Sequence, residues 1–238
     1  MSSLALQLAP TGRLRVGVWT VPYFAREAYG ALRGVIPDLG SELARRAGVE
    51  AELAPFDNPG RMIEAFRAGA LDVTFLGITA DRAEAIDFGP VVLAIQTTYL
   101  VPASSAIASI AEIDRAGIRV AVPARSAQEA HLKKAVAHAT LIPIPAEQPK
   151  AALDLIARGD ADAFSHVAPM LAVVQGGLPG SRILPGSYFD VPVAIGVAKG
   201  KDAAAAEFVW EFAEDVKASG FARRAVDRSG IKGMVVVS

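Results

Sequence analysis

Residues 71–90 read LDVTFLGITADRAEAIDFGP, and the fold is decided in this stretch. Asp72-Val73-Thr74-Phe75-Leu76 is a short apolar run that breaks at Gly77. A polar turn, Thr79-Ala80-Asp81-Arg82, follows, and the stretch closes on Ile86-Asp87-Phe88-Gly89-Pro90. A strand that stops at a glycine and hands a threonine and an arginine to the next turn can build an anion site. Open α/β sheets hold ligands at their strand ends, and arginine is the side chain suited to forked binding of a carboxylate.

On the N-terminal side, Arg13 to Val18 alternates and reads as a first strand. Trp19 to Gly34 reads as a loop carrying Pro22-Tyr23-Phe24. Pro37 to Ala47 reads as a helix, with Leu39, Leu43 and Ala47 on one face and Gly48 after its end. Val49 to Leu53 is a strand, and Pro59 to Ala68 a helix closed by Gly69. With the opening stretch this makes β-α-β-α-β, the mark of a mostly parallel sheet.

On the C-terminal side, Thr97 to Pro102 is extended and Ser109 to Arg115 is a short helix. A second β-α-β-α-β series then runs through Ile118–Val122, Ser126–Ala137, Leu141–Ile144, Gln148–Ala157 and Ala161–Ser165. His166 to Val174 continues as a helix interrupted near its start by Pro169. Short strands follow at Arg182–Leu184 and Val193–Ala198. A long helix at Asp202–Lys217 buries Ala206, Val209, Trp210 and Ala213, and Phe221–Arg228 is a last helical piece. The order describes two similar halves, the second (99–194) inserted in the first (13–98 plus 195–238). The crossings fall near 96–103 and 188–198, and two lobes joined by two such strands make a hinge with a cleft between them.

The chain has 238 residues, 52% hydrophobic and 21% charged, which is a globular balance with ample core. A net charge of −1 gives no electrostatic footprint for nucleic acid or an anionic membrane. There is no cysteine, hence no disulfide, thiolate metal site or cysteine nucleophile. His131, His138 and His166 lack metal-binding spacing, so no metal or cofactor is expected. No apolar run approaches the ~20 residues needed to cross a membrane. The start, MSSLALQLAPTGRL, is too short and lacks the basic region of a signal peptide, so either a leader was removed or the protein is leaderless.

Six motifs, in order, resemble the bacterial extracellular solute-binding proteins of family 3, the amino-acid type. They are LRVGV at 14–18, the Leu39-Leu43-Ala44-Gly48 helix pattern, AFRAGALDVTFLGITADRAEAIDFGP, IRVAVPARSAQEAHLKK, ALDLIARGDADAF and VPVAIGVAKGKD. The resemblance covers about Arg13 to Val236. It implies an α/β fold of the two-lobed type II periplasmic-binding (venus flytrap) kind, each lobe a mostly parallel sheet flanked by helices. It also implies a periplasmic monomer that closes on one small ligand and delivers it to a membrane ABC permease by population shift.

The resemblance places the family's carboxylate-binding arginine at Arg82; the alternative is a surface arginine paired with Asp81 or Glu84. Gly77 stands where the family commonly has a Ser or Thr donor, and Phe75 replaces a small residue. Thr79 is retained, as a ligand contact or as a helix cap. Trp19 or Tyr23 would be the aromatic that stacks on the ligand. In the second lobe Ser126 matches a small hydroxyl residue, and Ser126 to Glu129 is also a capping box. Arg125 stands where the family usually has Gly; it is either a second cation at the site or a solvated loop residue. Val167 stands where amino-acid binders hold the ligand's α-ammonium with an Asp, beside His166, which could face the ligand. A valine cannot hold an ammonium. The ligand is then a small carboxylate other than a standard α-amino acid, or one whose ammonium finds another partner such as Asp190.

Two other functions share the frame. A cyclohexadienyl-dehydratase-like enzyme would need a carboxylic acid to protonate the leaving group, and none is evident with Val167 and Gly77 in place. A leaderless sensory or cytoplasmic binding module is the other. No Ser-His-Asp array and no glycine-rich phosphate loop supports different chemistry.

Overall fold

The computed structural model describes residues 3–237. The chain begins with α1 (Ser3–Leu8), β1 (Arg13–Trp19), a hairpin of β2 (Arg26–Ala28) and β3 (Ala31–Arg33), and α2 (Val35–Ala47). Next come β4 (Glu50–Phe56), α3 (Pro59–Arg67), β5 (Val73–Gly77), the single turn α4 (Ala80–Ala83) and the 16-residue strand β6 (Ile86–Val101). A 3-10 turn at Ile110–Glu112 leads to β7 (Arg119–Pro123), α5 (Ala127–Ala135), β8 (Thr140–Ile144), α6 (Lys150–Ala157), β9 (Ala163–Val167) and α7 (Ala168–Val174). The chain finishes with β10 (Arg182–Ile183), β11 (Phe189–Ala198), α8 (Ala203–Ala218), α9 (Phe221–Ser229) and β12 (Met234–Val236).

The helices start and stop where side chains satisfy their free ends. Asn58 caps α3 through a 2.7 Å bond from the Gly60 N–H. Asp202 caps α8 through the N–H groups of Ala204 and Ala205. Gly48 ends α2 in the left-handed conformation, at φ 71°.

The structure departs from the sequence expectations in several places. The segment expected as a loop over 19–34 contains the β2–β3 hairpin, with Arg26 opposite Arg33. Pro37 lies third in α2, because the helix begins two residues earlier, after Gly34. His166 and Val167 belong to β9, and Pro169 stands in the first turn of α7, where its missing N–H costs nothing. The buried stripe of α8 is Ala205, Val209, Phe212, Ala213 and Val216. Trp210 instead lies half-buried over Gly89 of β6, where any Cβ would collide with the indole ring. That contact explains the glycine in Phe88-Gly89-Pro90. Finally α1, to which no element was assigned, packs on α8 with Ala5 and Leu8 buried.

The chain divides into two compact units. The first contains the chain up to Ala94, Pro192–Ile231 and the residues from Val235; the second contains Ile95–Val191 and Lys232–Met234. In the first unit the strand order is β4-β1-β5-β11, with β1 parallel to both neighbours and β11 antiparallel to β5. Leu14, Val16 and Val18 of β1 are fully buried, and α2 comes close to this strand because its Gly40 has no Cβ; one would sit 2.8 Å from Val16 Cγ1. Met62, Ile63, Phe66, Leu71, Leu76 and Ile86 form one core cluster of this unit. In the second unit β8-β7-β9 are parallel and β6 runs antiparallel to β9. Phe164, Leu153 and Leu171 sit in one of its clusters, Tyr99, Val120 and Leu132 in another.

Both units repeat one anchor. Asp72, at the start of β5, accepts from the Arg15 backbone N–H (3.0 Å) and from both Nε (2.9 Å) and Nη2 (3.0 Å) of its side chain. Asp162, at the start of β9, does the same with Arg119, at 2.8, 3.0 and 3.0 Å. Asp72 adds the Lys201 ammonium at 2.8 Å. Burial alone would raise the pKa of Asp72, but the Arg15 and Lys201 hydrogen bonds bring it below the usual carboxylate value.

Asp72 is 1% exposed, whereas Asp162 and Arg119 keep about a third of their side-chain surface. Asp72→Asn leaves two cations without their anion and is expected to cost about 3–5 kcal/mol in urea unfolding. Asp162→Asn is expected to cost about 1 kcal/mol or less. Equal losses for the two would show that burial is not what makes the first anchor matter.

Candidate ligand site

In the first unit the site is built on the end of β5. The strand stops at Gly77, and Thr79 Oγ1 accepts from the Arg82 N–H at 3.4 Å, starting α4. The Arg82 side chain then folds back, and its Nη1 donates to the Gly77 carbonyl at 2.7 Å. The two carboxylates considered as surface partners are taken by another cation: Arg67 Nη2 lies 3.8 Å from Asp81 and 3.2 Å from Glu84. Among the described residues Arg82 has no ion-pair partner. Burial lowers its pKa below the ordinary guanidinium value, partly offset by Asp81 and Tyr23. The result is a half-buried cation held by one neutral acceptor, with most of its five donors unassigned.

The aromatic residues surround this cation unequally. Tyr23 is 6% exposed, its ring edge-on to Phe24 at 5.0 Å. Burial raises the pKa of its phenol while the nearby Arg82 pulls the other way, so the two groups share one electrostatic neighbourhood. Trp19 packs on the Met62–Phe66 cluster and meets Phe24 at 6.0 Å. Phe75 is 1% exposed within the core, and Thr79 is exposed as a cap. A cavity of about 330 Å³ lies where β1 and β4 end, lined by Thr20, Glu27, Pro55, Phe56, Asp57 and Arg61; Arg82 does not line it.

In the second unit Ser126 caps α5: its Oγ accepts from the Glu129 N–H at 3.1 Å and donates to the Pro123 carbonyl at 2.6 Å. Its single proton is therefore committed. The Glu129 carboxylate accepts from the N–H of Arg125 at 2.6 Å, one residue before the cap, and also pairs with Lys133 at 2.8 Å. Arg125 adopts φ 57°, the left-handed conformation that favours glycine, and its side chain is exposed.

At the end of β9, His166 Nδ1 accepts from the Val167 N–H at 2.8 Å, which places the ring proton on Nε2. Burial pushes the His166 pKa down to about 4, so the ring is neutral at pH 7. Val167 is 4% exposed. Sequence reasoning missed the aromatic group beside it: the Tyr188 hydroxyl bonds Ser165 Oγ at 2.6 Å, its ring stacks on Tyr99 at 4.8 Å, and His131 stacks on Phe189 at 4.6 Å. Adjacent aromatics at 188 and 189 were the available signal. Asp190 Oδ1 lies 2.6 Å from Ser187 Oγ, and among the described residues Asp190 has no cationic partner. No group of three or more His, Cys, Asp or Glu among the described residues is placed to hold a metal.

The fold is that of the type II periplasmic binding proteins. An ancestral amino-acid-binding protein, AncCDT-1, described as a precursor of cyclohexadienyl dehydratase, is 22% identical with a TM-score of 0.69; the match covers 95% of this chain and 99% of that one. An amino-acid ABC transporter substrate-binding protein from Streptococcus pneumoniae, AbpA, bound to L-arginine, is 19% identical with a TM-score of 0.67, over 93% and 96% of the two chains. A binding component of an ABC transporter from Wolinella succinogenes, complexed with lysine, is 21% identical with a TM-score of 0.69, over 91% and 95%. No curated protein matches the sequence. Residues 14–228 match the bacterial extracellular solute-binding proteins, family 3, and the chain belongs to that family. Among the described residues no helix is long and apolar enough to cross a membrane.

His166 carries a pH prediction. Its pKa is near 6.5 unfolded and about 4 folded, so the folded state binds fewer protons between these values. The stability it contributes is complete above pH 6.5 and is lost as the pH falls towards 4. Urea unfolding of the wild type should weaken across that window, and His166→Gln should flatten the part above about pH 5. The depressed carboxylates, among them Glu42 with a pKa of about 2, add a further loss that begins near pH 5 and continues below about pH 4. A His166→Gln profile that still falls between pH 6.5 and about 5 would assign that loss elsewhere.

Proposed function

We propose that the chain is the solute-binding protein of an ABC importer, capturing a small carboxylate-bearing ligand outside the cytoplasmic membrane, as a monomer, for delivery to the permease. The observation that carries this reading is Arg82: half-buried, lowered in pKa by desolvation, and without an anion among the described residues. A carboxylate of the ligand supplies that anion in a forked pair. Tyr23, in the same electrostatic neighbourhood, is favoured over Trp19 as the aromatic contact, and Gly77 and Phe75 shape the strand end. The second unit contributes through Ser126, Arg125, His166 and Val167, closing on the ligand as the family resemblance implies.

The same reading bears on the choice of ligand. The neighbours in complex with arginine and lysine bind α-amino acids. In this chain the end of β9 offers a neutral histidine and a buried valine, neither of which accepts a hydrogen bond from an ammonium there. The ligand is therefore a carboxylate without an α-ammonium, such as a keto acid, an aromatic acid or a dicarboxylate.

A thermal-shift screen over amino acids, keto acids, aromatic acids and dicarboxylates tests both points. A ligand at 100 times its Kd stabilises by about 2.7 kcal/mol. Arg82→Ala should weaken the best ligand by about tenfold to a hundredfold. Val167→Asp should weaken it further and bring α-amino acids into the binding range. Undiminished binding by Arg82→Ala would remove the carboxylate clamp; a standard amino acid as the best wild-type ligand would remove the Val167 argument alone.

A further inference from the structure

A second cavity in the first unit, about 240 Å³, is lined by Pro22, Tyr23, Phe24, Arg26, Arg33, Gly34, Asp38, Ala225, Arg228, Ser229 and Ile231. Three of these side chains are guanidiniums. Arg26 and Arg33 are cross-strand partners in the β2–β3 hairpin, so they emerge on the same face. Like charges placed directly opposite destabilise a strand pair, and among the described residues neither arginine has an ion-pair partner. Arg228, from α9, donates to the one carboxylate in the lining, Asp38, at 2.7 Å. One charge is thus neutralised in place and two remain uncompensated, in a protein whose net charge is −1. Glu27, the other charged hairpin residue, lines the 330 Å³ cavity instead.

We propose that this pocket is a binding site for a small, multiply charged oxyanion, gripped by Arg26 and Arg33 and bounded by Arg228. Its cations differ from that of the Arg82 site, since Arg82 does not line it, although Tyr23, which neighbours Arg82, does. Two forked cations held face to face on a short hairpin suit an oxyanion with acceptors on both sides. Bound anion would relieve the repulsion that the hairpin carries without it.

Calorimetric titration of the full chain with inorganic phosphate, at constant ionic strength kept with chloride, tests the proposal. Saturable one-to-one binding is expected. Arg26→Ala/Arg33→Ala should weaken it by about tenfold or more, and the lysine pair, which keeps charge but not the fork, should fall between. Arg82→Ala should bind phosphate as the wild type does. Without phosphate, the alanine pair should have a thermal midpoint equal to or above that of the wild type, which separates lost binding from lost folding. Absence of saturable binding overturns the site, as does an alanine pair that binds phosphate like the wild type. Loss of phosphate binding in Arg82→Ala would transfer the anion to the Arg82 site and overturn the separation, whatever the carboxylate screen shows.

Discussion

Asp72 is the residue on which the first unit's geometry depends. A carboxylate at 1% exposure is unfavourable unless charges and donors meet it, and here two cations and a backbone N–H do so. Those partners come from β1 and from the residues after β11, so the anchor ties the neighbours on both sides of β5. Strand register is fixed at the same point: Val73 lies opposite Val16 of β1 and opposite Val197 of β11. Once Val73 is set, Gly77 ends the strand at a fixed place, and the Gly77 carbonyl is the acceptor that aims Arg82. The side chain proposed to grip the ligand is thus placed by a buried pair at the opposite end of the same strand.

The cations of the molecule divide by whether a carboxylate has been supplied. Arg15, Arg119, Arg228 and Lys201 each have one, Arg67 has Asp81 and Glu84, and Arg46 has Glu42 and Asp215. Arg82 loses solvation without that compensation, although Asp81 and Glu84 stand one and two residues away in sequence. Arg67, from α3, draws those two carboxylates away. A desolvated guanidinium with a single neutral acceptor is a state a protein keeps at some expense in stability. In the proposed reading an incoming carboxylate recovers that cost, which makes the bound state more favourable than the contact alone.

Much of this was legible in residues 71–90. The break at Gly77, the Thr79 cap and the position of Arg82 follow from local rules that the structure obeys. The strand and helix order of both halves was legible for the same reason: apolar periodicity and glycine or asparagine ends report local geometry. What was not legible depends on contacts distant in sequence. Arg67 lies 17 residues from Glu84, and only the fold shows that it takes this partner. The β2–β3 hairpin has three-residue strands, too short to show alternation, and its turn is Tyr29-Gly30 with Tyr29 at φ 53°, a place where asparagine would have announced the turn. Trp210 fitted the helical stripe by spacing, but the space above Gly89 lies on another element.

The repeated anchor also makes the two strand ends comparable. Gly77 stands five residues after Asp72, and Val167 stands five after Asp162. At both ends the polar side chain expected from the family resemblance is missing, and a neighbouring side chain binds the exposed backbone instead. Arg82 donates to the carbonyl of Gly77, and His166 Nδ1 accepts from the N–H of Val167. These substitutions leave unequal charge: the first end keeps a cation, and the second is neutral, because burial has removed the extra proton from His166. For a zwitterionic ligand, only one of its two charges would be matched by these strand ends, and an ammonium desolvated without a partner costs more than a carboxylate pair returns. A ligand with a carboxylate and an uncharged or anionic remainder avoids that penalty. The proposed preference therefore rests on the charge each strand end carries, a cation after Gly77 and no charge at Val167.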